Sequence, residues 1–348
     1  MRLIFISFLL ATILCFSGLL FTCYQPTKKV ARGMYYWRTN LYLGDQDKRF
    51  LKNQRIEKLY VKIMDITWNA VYHAYPSTST NIENNLEKDT TLEFVPVVFI
   101  TNETLLHSNA NEIDTLSKNI VLKTKQLCGK GYSSIKEIQI DFDWSPKTKD
   151  NYFDLLKKIK QQTSDKTLSV TLRLHQLKNK YQTGIPPADR AMLMLYNMGK
   201  ITNYNETNSI LNVNETKKYL TASPYALPLD FVLPLFDWGV RFTNNKKFEN
   251  IIYHVNSAEL DTLKQFKKLP NGSYQLITDY YNNANNYFYY GDEIRTENVT
   301  KEDLISLSHL CQKQSNSANY TISFFELNTY NVNKLDSASY EEIYHCFN

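Results

Sequence analysis

Four motif classes are missing from this 348-residue chain: there is no phosphate-cradling P-loop, no GxGxxG, no GxSxG nucleophile elbow and no HExxH. Nucleotide-dependent, serine-hydrolase and zinc-protease chemistries therefore have no support. Cysteine is also scarce. Of five, Cys15 and Cys23 fall in or beside an N-terminal apolar run, leaving Cys128, Cys311 and Cys346, an odd number with no CxxC. That spacing excludes a structural zinc site, so no metal and no cofactor is expected. Cys311 and Cys346 either pair in an oxidising compartment or stay ordinary buried thiols. The net charge of +5 is scattered, without the basic, aromatic-interleaved stripe that a nucleic-acid groove needs. No nucleic-acid partner is expected, and the sequence is silent on oligomeric state.

What the chain does hold is 43% hydrophobic and 22% charged residues, with a mean hydropathy of −0.42, which suits a well-packed soluble body. The first 22 residues stand apart. Met1-Arg2 precedes LIFISFLLATILCFSGLLF, the pattern of an export signal, and the run is long enough to act instead as an uncleaved membrane anchor. Cys23 follows Leu20-Phe21-Thr22 as in a loose lipobox, which makes it a candidate lipidation site and an envelope lipoprotein one of the open readings. Residues 23–33 read as a tether, and residues 34–348 as the exported domain, facing the periplasm or the exterior.

From there strand-like segments alternate with helical ones, at 34–39, 58–66, 94–101, 137–144, 168–175, 191–197, 230–238 and 321–328. Ile113, Leu116, Ile120 and Leu127 share one helical face, as do Tyr152, Leu155, Leu156 and Ile159, and Leu304, Leu307, Leu310 and Cys311. Eight strands with crossover helices predict an α/β fold, a (β/α)8 TIM barrel. Residues 250–295 break the repeat: HVNSAELDTLKQF reads as a helix, and the Tyr/Asn-rich remainder as a polar hairpin or loop inserted before the last unit.

The stretch IQIDFDWS, Ile138 to Ser145, carries the chemistry. Alternation sends Ile138, Ile140, Phe142 and Trp144 outward beneath the helices and Gln139, Asp141, Asp143 and Ser145 inward. The fifth strand sends Ser169, Thr171, Arg173 and His175 the same way. Two carboxylates on one face lie roughly 7 Å apart by strand rise, so burial should raise at least one pKa unless Arg173 neutralises the pair. A register-fixing ion-pair network is the competing account. The functional reading requires both aspartates to face the interior.

Other strand ends bring Trp37, Arg38, Asp65, Asp237, Trp238 and Glu326 toward the mouth of the barrel, where its active sites are built. Aromatics there could stack on sugar faces. His175 and Gln176 are substrate contacts or scaffold, and the tyrosines between 280 and 290 a stacking lip or a hairpin.

IDFDWS resembles the fourth-strand motif DGxDxDxE of glycoside hydrolase family 18, the chitinases and their endoglycosidase relatives, and Met194-Leu195-Tyr196-Asn197 resembles that family's sixth-strand Met-x-Tyr-Asp. The resemblance implies that Asp143 orients, and Tyr196 hydrogen-bonds, the substrate's N-acetyl group, with Asp141 beside them as a catalytic residue. It also exposes two departures. Ser145 stands where the family has its proton-donating Glu, and Asn197 where it has Asp. A serine hydroxyl is far too weak an acid for that task, so hydrolysis needs an acid from elsewhere, with Asp65, Asp237 and Glu326 as candidates. The stretches 137–160, 168–199 and 225–239 also resemble an uncharacterised family of bacterial exported barrel proteins, which implies fold and location. Three functions stay open: a glycoside hydrolase-like enzyme, a non-catalytic glycan-binding lipoprotein and a structural envelope protein whose mouth the 250–295 insertion would plug.

Overall fold

The computed structural model describes residues 29–88, 91–220, 224–281, 287–314 and 317–347. The signal or anchor segment and Cys23 lie outside the described residues, as does most of the tether. Its last five residues do not form a tether: Lys29–Tyr36 is already the first strand, because alternate residues of KVARGMYY find partners in both neighbouring strands.

Eight parallel strands close into a barrel. In chain order they are β1 (Lys29–Tyr36), β2 (Lys58–Asn69), β3 (Glu93–Ile100), β4 (Glu137–Asp141), β5 (Thr167–Arg173), β6 (Arg190–Met194), β7 (Leu229–Pro234) and β8 (Asn319–Phe325). Each pairs with the next, and β8 returns to β1 with Lys29 opposite Asn319 and Gly33 opposite Ser323. The fold is thus the (β/α)8 TIM barrel that strand counting predicts. The alternation holds as well: Ile138, Ile140, Leu168, Val170 and Leu172 are all at most 1% exposed beneath the outer helices.

The helices start where capping chemistry allows. Asn109 accepts the backbone N–H of Asn111 and Glu112 while Glu112 bonds back to the N–H of Asn109, opening helix Ala110–Cys128. The helix ends at Gly129, whose φ of +52° suits glycine, and a Cβ there would collide with the Glu83 carboxylate.

Two additions surround the mouth. β2 runs on beyond the barrel and folds back as strand His73–Ser79, with Asn69 Oδ1 accepting the N–H of Val71 and Tyr72 at the turn. The second addition corrects the expected 250–295 loop. It begins at Trp238, where the chain leaves the barrel after β7, and forms a five-stranded antiparallel sheet in the order Phe248–Tyr253, Trp238–Phe242, Glu293–Glu297, Tyr274–Leu276, Phe266–Lys268. Its own small core gathers Ile252, Val255, Leu260, Tyr274, Leu276, Phe288 and Ile294. The expected helix over HVNSAELDTLKQF shrinks to one turn, Ser257–Leu260. The tyrosine run forms a short hairpin, Tyr280–Tyr281 with Tyr287–Phe288, on which Phe288 is buried while Tyr281 and Tyr287 are exposed.

The three cysteines among the described residues are free: Cys128 and Cys311 are buried and Cys346 partly so. Among the described residues no helix is long and apolar enough to cross a membrane, and no cluster of His, Cys, Asp or Glu could hold a metal ion.

Candidate functional site

β4 ends at Asp141, and Phe142 and Trp144 after it are pinned. The Phe142 N–H donates to Thr171 Oγ1 at 3.3 Å, the Trp144 indole donates to the carbonyl of Thr183 at 3.0 Å, and both rings pack on Tyr152. With its neighbours so fixed, Asp143 is turned to the mouth. It does not face the interior. Asp141 is 6% exposed, but the Asp143 side chain is 46% exposed at the rim, because regular pairing has ended before it. The expectation of two inward carboxylates holds for Asp141 and fails for Asp143, so the aspartate pair no longer carries the functional reading, which must stand instead on the cavity around Asp141. Ser145 lies further out in a turn, its N–H donating to Thr148 Oγ1.

Gln176 holds Asp143 in place. This side chain is fully buried, donates to Asp143 Oδ1 and to the Trp144 carbonyl, both at 3.0 Å, and accepts the N–H of Arg173. Gln176 is therefore scaffold here. His175 does not continue β5 inward as expected, since a helical turn, Leu174–Lys178, begins at once; its Nε2 stands 3.8 Å from Asp143 Oδ1, beyond hydrogen-bond range.

A cavity of about 500 Å³ opens at the mouth. Asp141, Arg173, Tyr196, Asn197 and Glu326 give it polar surface, and Trp37, Phe99, Phe236, Trp238, Tyr253 and Phe325 give it aromatic surface. Phe325 ties these walls together, with ring centroids 5.6 Å from Trp37 and 5.3 Å from Tyr196. A second cavity of about 290 Å³ shares Arg173, Tyr196 and Asn197 and adds Asp143 and His175. Two clefts of similar or larger volume lie away from these residues, one against the inserted sheet and one beside Leu41–Leu43.

Burial raises the Asp141 carboxyl above its ordinary value, opposed by the charge of Arg173 and by a 2.6 Å hydrogen bond from Thr171 Oγ1. Glu326 is also raised by burial, opposed by a 3.3 Å bond from Asn328 and more weakly by Arg38 and Lys62. The Tyr196 phenol is pushed up by burial, and its environment includes the charges of Arg173, Asp141 and Glu326. Among the described residues its hydroxyl donates to Met194 Sδ alone, at an O···S distance of 3.2 Å. Arg173 lies 6.0 Å from the Tyr196 ring centroid, and its Nη1 is buried without a hydrogen-bond partner among the described residues. A buried donor left open in a cavity wall is costly unless something enters to accept from it.

Three expected site residues are occupied elsewhere. Asp65 Oδ2 takes Lys62 Nζ at 3.0 Å and Thr78 Oγ1 at 2.5 Å, where β2 bulges to meet the returning strand. Asp237 is 2% exposed and ion-paired with Lys334 at 2.6 Å. Arg38 is exposed, 5.6 Å from the Tyr36 ring centroid. Trp238 does line the cavity, but as the first residue of the inserted sheet, not as a barrel-strand end. The sequence reading missed Phe99, Phe236, Tyr253, His254, Phe325 and Asn331 in the cavity wall. It also missed Lys62, whose Nζ lies 5.3 Å from the Trp37 ring. Phe99 and Phe325, at or near the ends of β3 and β8, were within reach of strand counting, whereas Tyr253, His254 and Asn331 come from segments with no periodic signal.

No protein-family model matches the chain, and comparison with curated protein sequences gives no match. Solved structures do match. The spore cortex-lytic enzyme SleL of Bacillus megaterium aligns with 93% of this chain and 76% of its own at a TM-score of 0.58 and 14% identity. SleL of Bacillus cereus gives 92% and 76%, with a TM-score of 0.56 and 13% identity. The chitinase RmChi1 of Rhizomucor miehei aligns with 90% of this chain and all of its own, at 0.53 and 12%. The likeness defines the fold: a (β/α)8 barrel of the kind found in these chitinase and cortex-lytic enzyme structures.

Proposed function

We propose that this chain is an exported, glycan-active protein whose barrel mouth takes up N-acetylated hexosamine units of a polysaccharide. One observation carries the reading: Asp141, Arg173, Tyr196, Asn197, Trp37 and Glu326 line a single cavity. Its volume lies within the roughly 300–1,000 Å³ usual for small-ligand sites. Aromatic walls over a floor of carboxylate, amide and guanidinium suit a sugar, whose apolar ring faces stack while its hydroxyl and acetamido groups need fixed polar partners. The open Nη1 of Arg173 is one such partner. The fold shared with chitinases and a cortex-lytic enzyme supports the choice of glycan. In this reading Tyr196 and Asn197 hold the acetamido group in the main cavity, with Asp141 beside them and Asp143 approaching from the rim.

The N-terminal segment is read as an export signal with lipidation at Cys23, or as an uncleaved anchor, holding the domain at the cell envelope. A second reading, binding without turnover, is favoured by Ser145 at the position of the family's acid. The test is a glycan array with a parallel hydrolysis screen, comparing wild type with Asp141→Asn. Saturable binding of N-acetylglucosamine oligomers, weakened in the variant, is the expected result. An array with no such binding, or binding that the variant leaves unchanged, would overturn the proposal.

A further inference from the structure

Three acids were open to replace the one that Ser145 lacks, and their surroundings separate them. Asp65 is neutralised by Lys62, and Asp237 is sealed against Lys334. Glu326 alone of the three lines the cavity, and no cation lies within ion-pairing distance of it among the described residues. It follows Phe325 directly at the end of β8, so the aromatic contacts of Phe325 with Trp37 and Tyr196 fix where its backbone sits. The one hydrogen bond to its carboxyl among the described residues, from Asn328 to Oε1, is long at 3.3 Å. We infer that Glu326 is the proton donor of a glycosidase, acting across the cavity from Asp141 as base. The inference rests on the glycan reading.

The two carboxyls differ in what stabilises their charge. Asp141 has Arg173 and Thr171 as its main stabilising neighbours, while Glu326 has a single long hydrogen bond and the distant charges of Arg38 and Lys62. Paired acids whose environments differ in this way divide into base and acid. Glu326 passes its carboxyl proton to the glycosidic oxygen as the bond from that oxygen to the anomeric carbon breaks. A water oxygen adds to the anomeric carbon, and the proton it sheds goes to Asp141. Exchange with solvent then returns Asp141 to carboxylate and Glu326 to acid, so each turnover consumes one water and no other reagent. Serine at 145 is then no defect, because the acid has moved from the fourth strand to the eighth.

The experiment compares wild type and Glu326→Gln on chitotetraose and on a 2,4-dinitrophenyl chitobioside, whose leaving group departs without protonation. Calorimetric binding of chitotetraose and a thermal unfolding curve are recorded for both. The expected result is a loss of at least about a hundredfold in chitotetraose turnover, with the dinitrophenyl substrate much less affected, chitotetraose still bound and the variant still folded. Equal losses on both substrates would assign Glu326 a positioning role and overturn the inference. So would undiminished turnover in the variant, or wild-type binding without turnover, each leaving the glycan reading intact. Absence of wild-type binding would remove that reading and the inference together.

Discussion

The indole N–H of Trp238 donates to Glu297 Oε2 at 2.8 Å, joining a wall of the cavity to the adjacent, central strand of the sheet inserted after β7. The same oxygen accepts the backbone N–H and the hydroxyl of Ser209, and the other carboxylate oxygen pairs with Arg295 at 2.7 Å. Arg295 in turn donates to the carbonyls of Ile201, Asn203 and Tyr204. Glu297 therefore fastens together the inserted sheet, the connection after β6 and the stacking surface of Trp238.

Removing that carboxylate strands a buried guanidinium. Glu297→Ala is expected to destabilise the fold by about 3–5 kcal/mol and to shift Trp238 fluorescence toward the solvent-exposed range. Urea denaturation with near-ultraviolet spectra checks both, and a loss below about 1 kcal/mol would contradict the network.

Arg32 clamps the C-terminal helix to β1, its two terminal nitrogens donating to Glu341 at 2.6 and 2.8 Å. The Arg32 hydrogen bond, helped by the charges of Arg32 and Arg55, pulls the Glu341 carboxyl from 4.5 to about 2. A lowered carboxylate contributes stability that is present above pH 4.5 and lost as pH falls toward 2. Glu341→Gln is expected to cost about 1–3 kcal/mol at pH 7, with the difference from wild type shrinking below pH 4.5. Urea midpoints across that range measure it.

Glu326 carries the opposite sign. Burial raises its folded value above the ordinary 4.5, so its contribution is present below pH 4.5 and lost as pH climbs through the raised value. Glu326→Gln is expected to gain stability relative to wild type as pH rises above 4.5. A difference that stays constant with pH would show that burial exerts no such pressure on this carboxyl.

Gly33 faces Ser323 across the β1–β8 seam, and a Cβ on it would come within 2.2 Å of Ser323 Oγ and 3.0 Å of Thr321 Cγ2. Gly33→Ala is expected to cost about 1–3 kcal/mol through overpacking. Ser323→Ala, which removes the nearer atom, should recover part of it in the double variant. Additive losses would contradict the contact.

All eight barrel strands were legible in the sequence because each combines an apolar outward face with a buried inward one, and the short alternating pattern is a local property. Where they stop was less legible. The run from Asp230 to Trp238 reads as one strand, but the barrel strand ends at Pro234; Phe236 and Trp238 are apolar because they wall the cavity. The insertion, expected to start at 250, in fact opens with the strand Trp238–Phe242 at the end of that run.

In the site, Asp141 and Arg173 were found because inward polar residues stand out on a strand, and Tyr196 through the resemblance of its stretch to Met-x-Tyr-Asp. Asp143 was misjudged because alternation was extended past the last hydrogen-bonded residue, where the packing of Phe142 and Trp144 takes over the control of direction. Nothing in the sequence reveals that Lys62 neutralises Asp65 or that Lys334 neutralises Asp237, because those pairings are set by how the chain turns and packs in three dimensions.

The most direct test of the account is a calorimetric titration of chitotetraose into wild type and Trp37→Ala, with thermal unfolding confirming that both are folded. The account predicts saturable one-to-one binding to wild type and at least about a tenfold loss, some 1.4 kcal/mol, when the Trp37 ring is removed. No heat of binding in wild type, or equal affinity in the two proteins, would contradict it.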